Sequence, residues 1–180
     1  MPNLIIEDGL QVDGANSFVT EAETIAYALD RGNRIFTDET HARQMLIIAM
    51  DYLKSISDWA GTKTVLTQSL PFPRAKISYF SLTGFPCHRQ YYAEDAIPDN
   101  IKTAQIELAI AAASGVILIN NTGKRVELKE PLIKKEKVGP LETEYFEMGF
   151  PTVEQLGLPY IKSLLEPYRI PDRGLRTYRA

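Results

Sequence analysis

A stripe of apolar residues in the second quarter of the chain constrains the fold more than any other feature. Its members are Ala42, Met45, Leu46, Ala49, Tyr52, Leu53 and Ile56. This spacing follows the 3.6-residue period of an α-helix without a break. A helix with one continuous apolar face must bury that face against other elements. We therefore predict a helix over residues 37–56 at the centre of the core, with Leu46 fully buried.

Three further helices are predicted from start signals and periodicity. Thr20 and Glu23 form a capping-box pattern, and Pro98 and Pro159 each suit the first turn of a helix. The segment after Pro98 is apolar on nearly all sides, so we expect Leu108 to be a core residue. The predicted helices span residues 20–31, 37–56, 98–119 and 159–166.

The segments between these helices carry strand and turn signals. Two prolines make residues 68–74 an extended segment, because proline lacks an amide donor and restricts its predecessor. Residues 75–96 form a long aromatic loop with a possible short hairpin. A β-hairpin arm is predicted at about 126–148, where Leu141, Thr143 and Tyr145 alternate with glutamates after Gly139-Pro140.

The expected fold class is mainly α. It is a small helical bundle with a β-hairpin arm, a long aromatic loop and an extended C-terminal tail. A chain of 180 residues is suited to one domain, which we place at residues 1–166. Pro167, Pro171 and Gly174 interrupt all regular structure after the last helix, so residues 167–180 are predicted to be the tail.

Charge and residue usage exclude several classes of protein. The chain has 20 Lys and Arg against 23 Asp and Glu, so it lacks the basic excess that drives nucleic-acid binding by a whole surface. Any contact with DNA must therefore be local. A single cysteine and two histidines cannot form an internal disulfide or a structural zinc site. No membrane span or secretory signal is expected, which favours a cytoplasmic protein.

Sequence motifs for catalysis are missing. The chain has no phosphate-binding loop, no dinucleotide-binding glycine motif and no zinc-peptidase motif. Cys87-His88 is a weak catalytic candidate, since triad partners normally come from separate elements. Glu142 and Glu144 are better explained as an exposed acidic face. We predict no catalytic residue, no metal, no cofactor and no enzymatic activity.

Two segments have residues that suit binding. Residues 79–92 combine aromatic side chains with the nearby cations Lys76, His88 and Arg89, as single-stranded nucleic acid would require. The same rings could instead pack against a neighbouring protein chain. The tail combines arginines with tyrosines, which are enriched at interface hot spots, although a solvated end is an equally good interpretation.

The order of five segments resembles a known family. They are Ala15-Asn16-Ser17-Phe18-Val19-Thr20, Trp59-Ala60-Gly61-Thr62, Gln68-Ser69-Leu70-Pro71-Phe72-Pro73-Arg74, Ile97-Pro98, and Glu136-Lys137-Val138-Gly139-Pro140-Leu141-Glu142-Thr143-Glu144-Tyr145. Over roughly residues 14 to 168 the chain is similar to tailed-phage proteins labelled DnaT-like single-stranded-DNA-binding proteins, which look like head-to-tail connectors (adaptors). The aromatic loop and the arginine-rich tail depart from the shared pattern.

The resemblance implies a structural virion protein. Its members would form a ring of twelve copies below the phage portal in the head-tail neck, after assembly in the bacterial cytoplasm. The implied partners are the portal protein, a downstream tail or neck protein, further copies of the chain, and DNA that passes through the ring without specific binding. The alternative is a single-stranded-DNA-binding protein that acts in phage DNA metabolism.

Candidate interface residues lie in the tail, the hairpin and the aromatic loop. The tail contributes Tyr168, Arg169, Ile170, Arg173, Leu175, Arg176, Tyr178 and Arg179. The hairpin contributes Leu141 and Tyr145, and the loop contributes Phe80, Phe85, Tyr91 and Tyr92.

Overall fold

The computed structural model describes residues 3–81, 88–119, 133–138, 141–146 and 158–170. Within these ranges the chain forms four α-helices, as predicted. They are α1 (Glu21–Asp30), α2 (Glu39–Ser55), α3 (Asp99–Ala113) and α4 (Pro159–Leu165). A 3₁₀ turn, Glu166–Tyr168, follows α4. Helix α2 packs against both α1 and α3, and α3 packs against α4.

The start of α1 is fixed by the predicted capping box. The Thr20 hydroxyl oxygen accepts from the Glu23 backbone N–H at 3.2 Å, and the Glu23 carboxylate accepts from the Thr20 N–H at 2.8 Å. Two backbone donors that the helix cannot satisfy internally are therefore paired. The hydrogen bond from the Thr20 backbone is the main reason that the pKa of Glu23 is lowered.

The predicted core residues on α2 and α3 are confirmed. Helix α2 is capped by Asp38, one residue after the predicted start, and Asp38 Oδ1 accepts from the His41 N–H at 2.8 Å. Its buried face includes Leu46, which is 0% exposed, as is Leu108 on α3. These two side chains lie on the two helices that pack most extensively on each other.

Helix α3 ends earlier than the predicted residue 119. Gly115 has φ +92°, a left-handed conformation that suits glycine. The Val116 N–H donates to the Ala111 carbonyl at 3.0 Å and the Gly115 N–H donates to the Ala112 carbonyl at 3.0 Å. This is the Schellman arrangement that terminates helices. The apolar residues 116–119 continue the hydrophobic pattern, which explains the overlong prediction.

The fold class is mixed α/β, so the prediction of a mainly α protein is wrong. In the described ranges, three two-stranded antiparallel sheets accompany the helices. They pair β1 (Thr62–Lys63) with β2 (Arg74–Ala75), β3 (Ser78–Ser81) with β4 (His88–Tyr91), and β5 (Ile133–Val138) with β6 (Leu141–Phe146). Strands of two residues leave no readable periodicity, so their pairing could not be predicted. The hairpin within residues 75–96 and the pairing on either side of Gly139-Pro140 are confirmed.

A buried glutamine ties the N-terminal segment to the helices. The side chain of Gln105 on α3 is 0% exposed. Its Oε1 accepts from the Phe18 N–H at 2.9 Å, and its Nε2 donates to Ser17 Oγ at 2.9 Å and to the Leu46 carbonyl at 3.2 Å. The amide thus satisfies polar groups from two other elements inside the core.

The first residues of the predicted tail belong to the folded body. Tyr168 is 3% exposed, although it was predicted to lie in a tail that begins at residue 167. The Tyr168 carbonyl accepts from the Ala60 N–H at 2.8 Å, and the Ile170 N–H donates to the Asp58 carbonyl at 2.8 Å. These partners are more than a hundred residues away in sequence, so local patterns could not indicate the contact.

Gly61→Ala is expected to destabilise the protein much more than Gly32→Ala. Both glycines have positive φ, +68° and +71°. A Cβ at position 61 would overlap the carbonyl oxygen of Ala75 in β2, whereas a Cβ at position 32 meets nothing within 4 Å. Position 32 therefore has only the left-handed strain of about 1–2 kcal/mol. Urea unfolding of both variants tests this; equal losses would show that β1 and β2 move apart at no cost.

Candidate functional site

A row of aromatic rings leads from the hydrophobic core to the surface of the β3–β4 hairpin. The ring of Phe72 is fully buried, and its centroid is 6.0 Å from that of Tyr168. Tyr168 is followed by Tyr92 at 5.5 Å, and Tyr92 is followed by Tyr79 at 4.8 Å. We call Tyr79, Tyr92 and Tyr168 the tyrosine column. Its outer member is 39% exposed, so the column ends in an accessible ring.

The register of the hairpin decides which tyrosines join the column. Tyr79 is opposite Gln90, and the Tyr92 N–H donates to the Ile77 carbonyl at 3.0 Å. Successive side chains on a strand point to opposite faces, so Tyr79 and Tyr92 share a face while Tyr91 lies on the other. Tyr91 is 57% exposed. Each face of the hairpin therefore presents one exposed phenol ring.

Hydrogen bonds hold the column in place. The Tyr79 hydroxyl donates to Gln90 Oε1 at 2.7 Å, across the strand pair. The Tyr168 hydroxyl donates to the Tyr92 hydroxyl at 3.4 Å. Burial raises the pKa of Tyr168, and its hydrogen bond with Tyr92 raises it further. Tyr168 therefore stays protonated at physiological pH, and the base of the column is uncharged.

Arg74 is engaged inside the structure, next to the column. Its guanidinium donates to four backbone carbonyls, those of Ala60 at 2.7 Å, Gly61 at 2.9 Å, Pro71 at 3.2 Å and Trp59 at 3.4 Å. Burial lowers the pKa of Arg74. This side chain closes the loop between β1 and β2 and has its donors occupied, so it is not available to an external anion.

Two other cations in this region are also paired. Lys63 Nζ donates to the Gln68 carbonyl at 3.0 Å. Arg169 Nε and Nη2 both donate to Asp58 Oδ2, at 2.9 and 2.5 Å. By contrast, Lys76 directly precedes the hairpin and is exposed. Among the side chains that the structure describes in this region, Lys76 is the cation best placed to meet a ligand at the hairpin.

The structure separates the predicted interface residues into three groups. Tyr91 and Ile170 are exposed, Tyr92 is half-buried in the column, and Tyr168 and Arg169 are committed to internal contacts. Phe80 lies in β3, and Leu141 and Tyr145 lie in β6, where only the strand pairing is described. The remaining candidates fall outside the described residues; they are Phe85, Arg173, Leu175, Arg176, Tyr178 and Arg179.

Sequence reasoning left Tyr79 out of the candidate list. The signal that identifies it is the alternation of Ile77 with Tyr79 and of Gln90 with Tyr92 on the two arms of one hairpin. That signal is usable only once the register is known, because a shift of one residue would exchange the faces.

Metal-binding and membrane-spanning features were also searched in the described part of the chain. No group of three or more histidine, cysteine, aspartate or glutamate side chains there is arranged to hold a metal ion. None of the described helices is long and apolar enough to cross a bilayer. The absence of enzymatic activity and of cofactors stays a prediction.

Comparison with known proteins identifies a family. The sequence model of the family described as "Putative DnaT-like ssDNA binding protein" matches residues 2–179. The chain belongs to this DnaT-like family. No curated protein and no solved structure matches the chain. The match to the DnaT-like family confirms the family resemblance predicted from the five ordered segments.

The match corrects the predicted function. The description of the DnaT-like family names binding of single-stranded DNA and contains nothing about a head-to-tail connector. The prediction of a structural adaptor below a phage portal is therefore wrong, and the match favours the alternative that accompanied it. The error came from treating the net acidic charge as decisive, although a local site needs only local cations and rings. The portal partner, the twelve-copy ring and the virion location stay untested predictions.

Proposed function

We propose that the protein binds single-stranded DNA and that bases stack on the exposed tyrosines of the β3–β4 hairpin. The observation that carries the proposal is the tyrosine column, which presents Tyr79 at the surface of a member of the DnaT-like family. Single-strand binding uses aromatic side chains as stacking platforms, each worth about 1–3 kcal/mol per base.

The column gives Tyr79 the rigidity that a stacking platform needs. Its ring packs on Tyr92, its hydroxyl is held by Gln90, and Tyr92 rests on the buried Tyr168. A side chain that is already ordered loses little conformational entropy when a ligand binds. Tyr91 supplies a second ring on the other face of the hairpin.

The charge of the chain sets the expected character of the binding. With a net charge of −3, the whole surface does not attract polyanions. Affinity must come from stacking together with a few local phosphate contacts, for which Lys76 is one candidate. Binding should be independent of base sequence, because every base has a face that can stack.

Tyr79→Ala is expected to weaken the binding of a fluorescent oligothymidine of about 20 nucleotides by about 5- to 150-fold. The reason is the loss of one stacking ring. Fluorescence anisotropy titration measures the change. Tyr79→Phe keeps the ring and loses only the hydroxyl that bonds Gln90, so it should bind within a few-fold of the parent protein.

Tyr160→Ala is the matched control, because Tyr160 on α4 is 52% exposed and lies outside the column. It should leave the affinity unchanged. If the unmodified protein shows no binding at low salt, the proposed function is wrong. If Tyr79→Ala binds as tightly as Tyr160→Ala, single strands do not use this hairpin face.

A further inference from the structure

The described chain leaves the folded body beside the tyrosine column. The Ile170 N–H donates to the Asp58 carbonyl at 2.8 Å, which fixes the backbone two residues after Tyr168. The Tyr168 ring is 5.5 Å from Tyr92, and Tyr92 is 4.8 Å from Tyr79. Ile170 itself is 55% exposed. Residue 171 therefore starts close to the surface on which we place the bases.

The cations built into this part of the body cannot serve phosphates. Arg74 is surrounded by four carbonyls, Lys63 is bonded to a carbonyl, and Arg169 is paired with Asp58. To bind a phosphate, Arg169 would have to leave Asp58 as an unpaired carboxylate. A strand stacked on Tyr79 thus needs other cations.

The sequence after residue 170 contains such cations. Arg173, Arg176 and Arg179 recur every three residues, with Asp172 as the only acidic residue among residues 171–180. A ten-residue segment can extend about 33–36 Å, which is several times the spacing between the rings of the column. Arginine is suited to phosphate because its planar guanidinium can donate two parallel hydrogen bonds.

We infer that Arg173, Arg176 and Arg179 supply phosphate contacts to the single strand whose bases stack on Tyr79. This inference rests on the proposed function and assigns the source of its electrostatic part. Bases would be held by the hairpin, and the backbone would be held by residues that follow Ile170. Stacking and charge would then come from two parts of the chain that the anchor at Asp58 brings together.

The test is the salt dependence of oligothymidine binding. For single strands the slope of log K against log salt is about −0.7 for each phosphate contact. The variant Arg173→Gln/Arg176→Gln/Arg179→Gln should therefore bind more weakly at low salt and have a slope smaller in magnitude by about 2. The triple lysine variant keeps the charges and should keep most of the slope. Thermal unfolding should be unchanged in both, since the body ends at residue 170.

The control variant removes the same charge elsewhere. Arg31, Arg34 and Lys54 are exposed and lie at the ends of α1 and α2, so Arg31→Gln/Arg34→Gln/Lys54→Gln should leave the slope as it is. An equal fall in both glutamine variants would mean a general charge effect and would overturn the inference. So would a slope that falls only in Lys76→Gln/Arg89→Gln, which would assign the phosphates to the hairpin. If the unmodified protein does not bind at all, the proposed function fails first.

Discussion

Phe72→Ala is expected to lower the free energy of unfolding by about 3–5 kcal/mol. Phe72 is 0% exposed and lies at the centre of an edge-to-face cluster. Its ring centroid is 6.4 Å from Phe18, 5.2 Å from Trp59 and 6.0 Å from Tyr168. Truncation removes these contacts and leaves a cavity that the surrounding rigid rings cannot fill completely. Urea denaturation followed by Trp59 fluorescence measures the loss.

Phe36→Ala is the matched comparison for Phe72→Ala. Phe36 is only partly buried, and its recorded ring contact is with His41 at 6.0 Å. Its truncation should cost clearly less than that of Phe72. A loss below about 1 kcal/mol for Phe72→Ala would contradict the central position that the structure gives this ring.

Gln105→Glu is expected to make stability fall as pH rises above about 4.3, the ordinary pKa of glutamate. At position 105 the side chain faces two acceptors, Ser17 Oγ and the Leu46 carbonyl, in a fully buried site. A protonated carboxyl group can still donate one hydrogen bond, but a carboxylate cannot donate any. Burial and these acceptors would raise the folded-state pKa, so the folded protein retains a proton that the unfolded chain loses.

The size of this effect follows from proton linkage. Between the unfolded and folded pKa values the variant should lose about 1.4 kcal/mol for each pH unit. Gln105→Leu is the control, since it removes the same hydrogen bonds without a titrating group. Its loss relative to the parent protein should be the same at every pH. Parallel pH profiles for the two variants would show that position 105 is accessible to water.

The helices were predictable because their signals are local. The Thr20–Glu23 capping box, Pro159 at the first position of α4 and the stripe along α2 each lie within a few turns of the element that they specify. The end of α3 was missed because the hydrophobic pattern continues past Gly115. Its φ of +92°, not the apolar pattern, decides where that helix stops.

The candidate site was only partly predictable, because its parts are joined by distant contacts. The aromatic hairpin was recognised as a binding segment, yet register alone places Tyr79 and Tyr91 on opposite faces. Tyr168 and Arg169 suggested a docking tail, but their partners Phe72 and Asp58 lie about a hundred residues earlier in the chain. Sequence composition could not indicate that these two residues are used internally.

The anchor between Asp58 and Arg169 also has a consequence for the order of folding. It joins residues 111 positions apart, so a very long loop must close before the contact is made. Closing long loops is entropically costly and slows folding. During synthesis, Trp59 and Phe72 would leave the ribosome well before Tyr168 exists to cover them. The nascent chain would then expose an aromatic surface that chaperones recognise, until its last body residues arrive and complete the core.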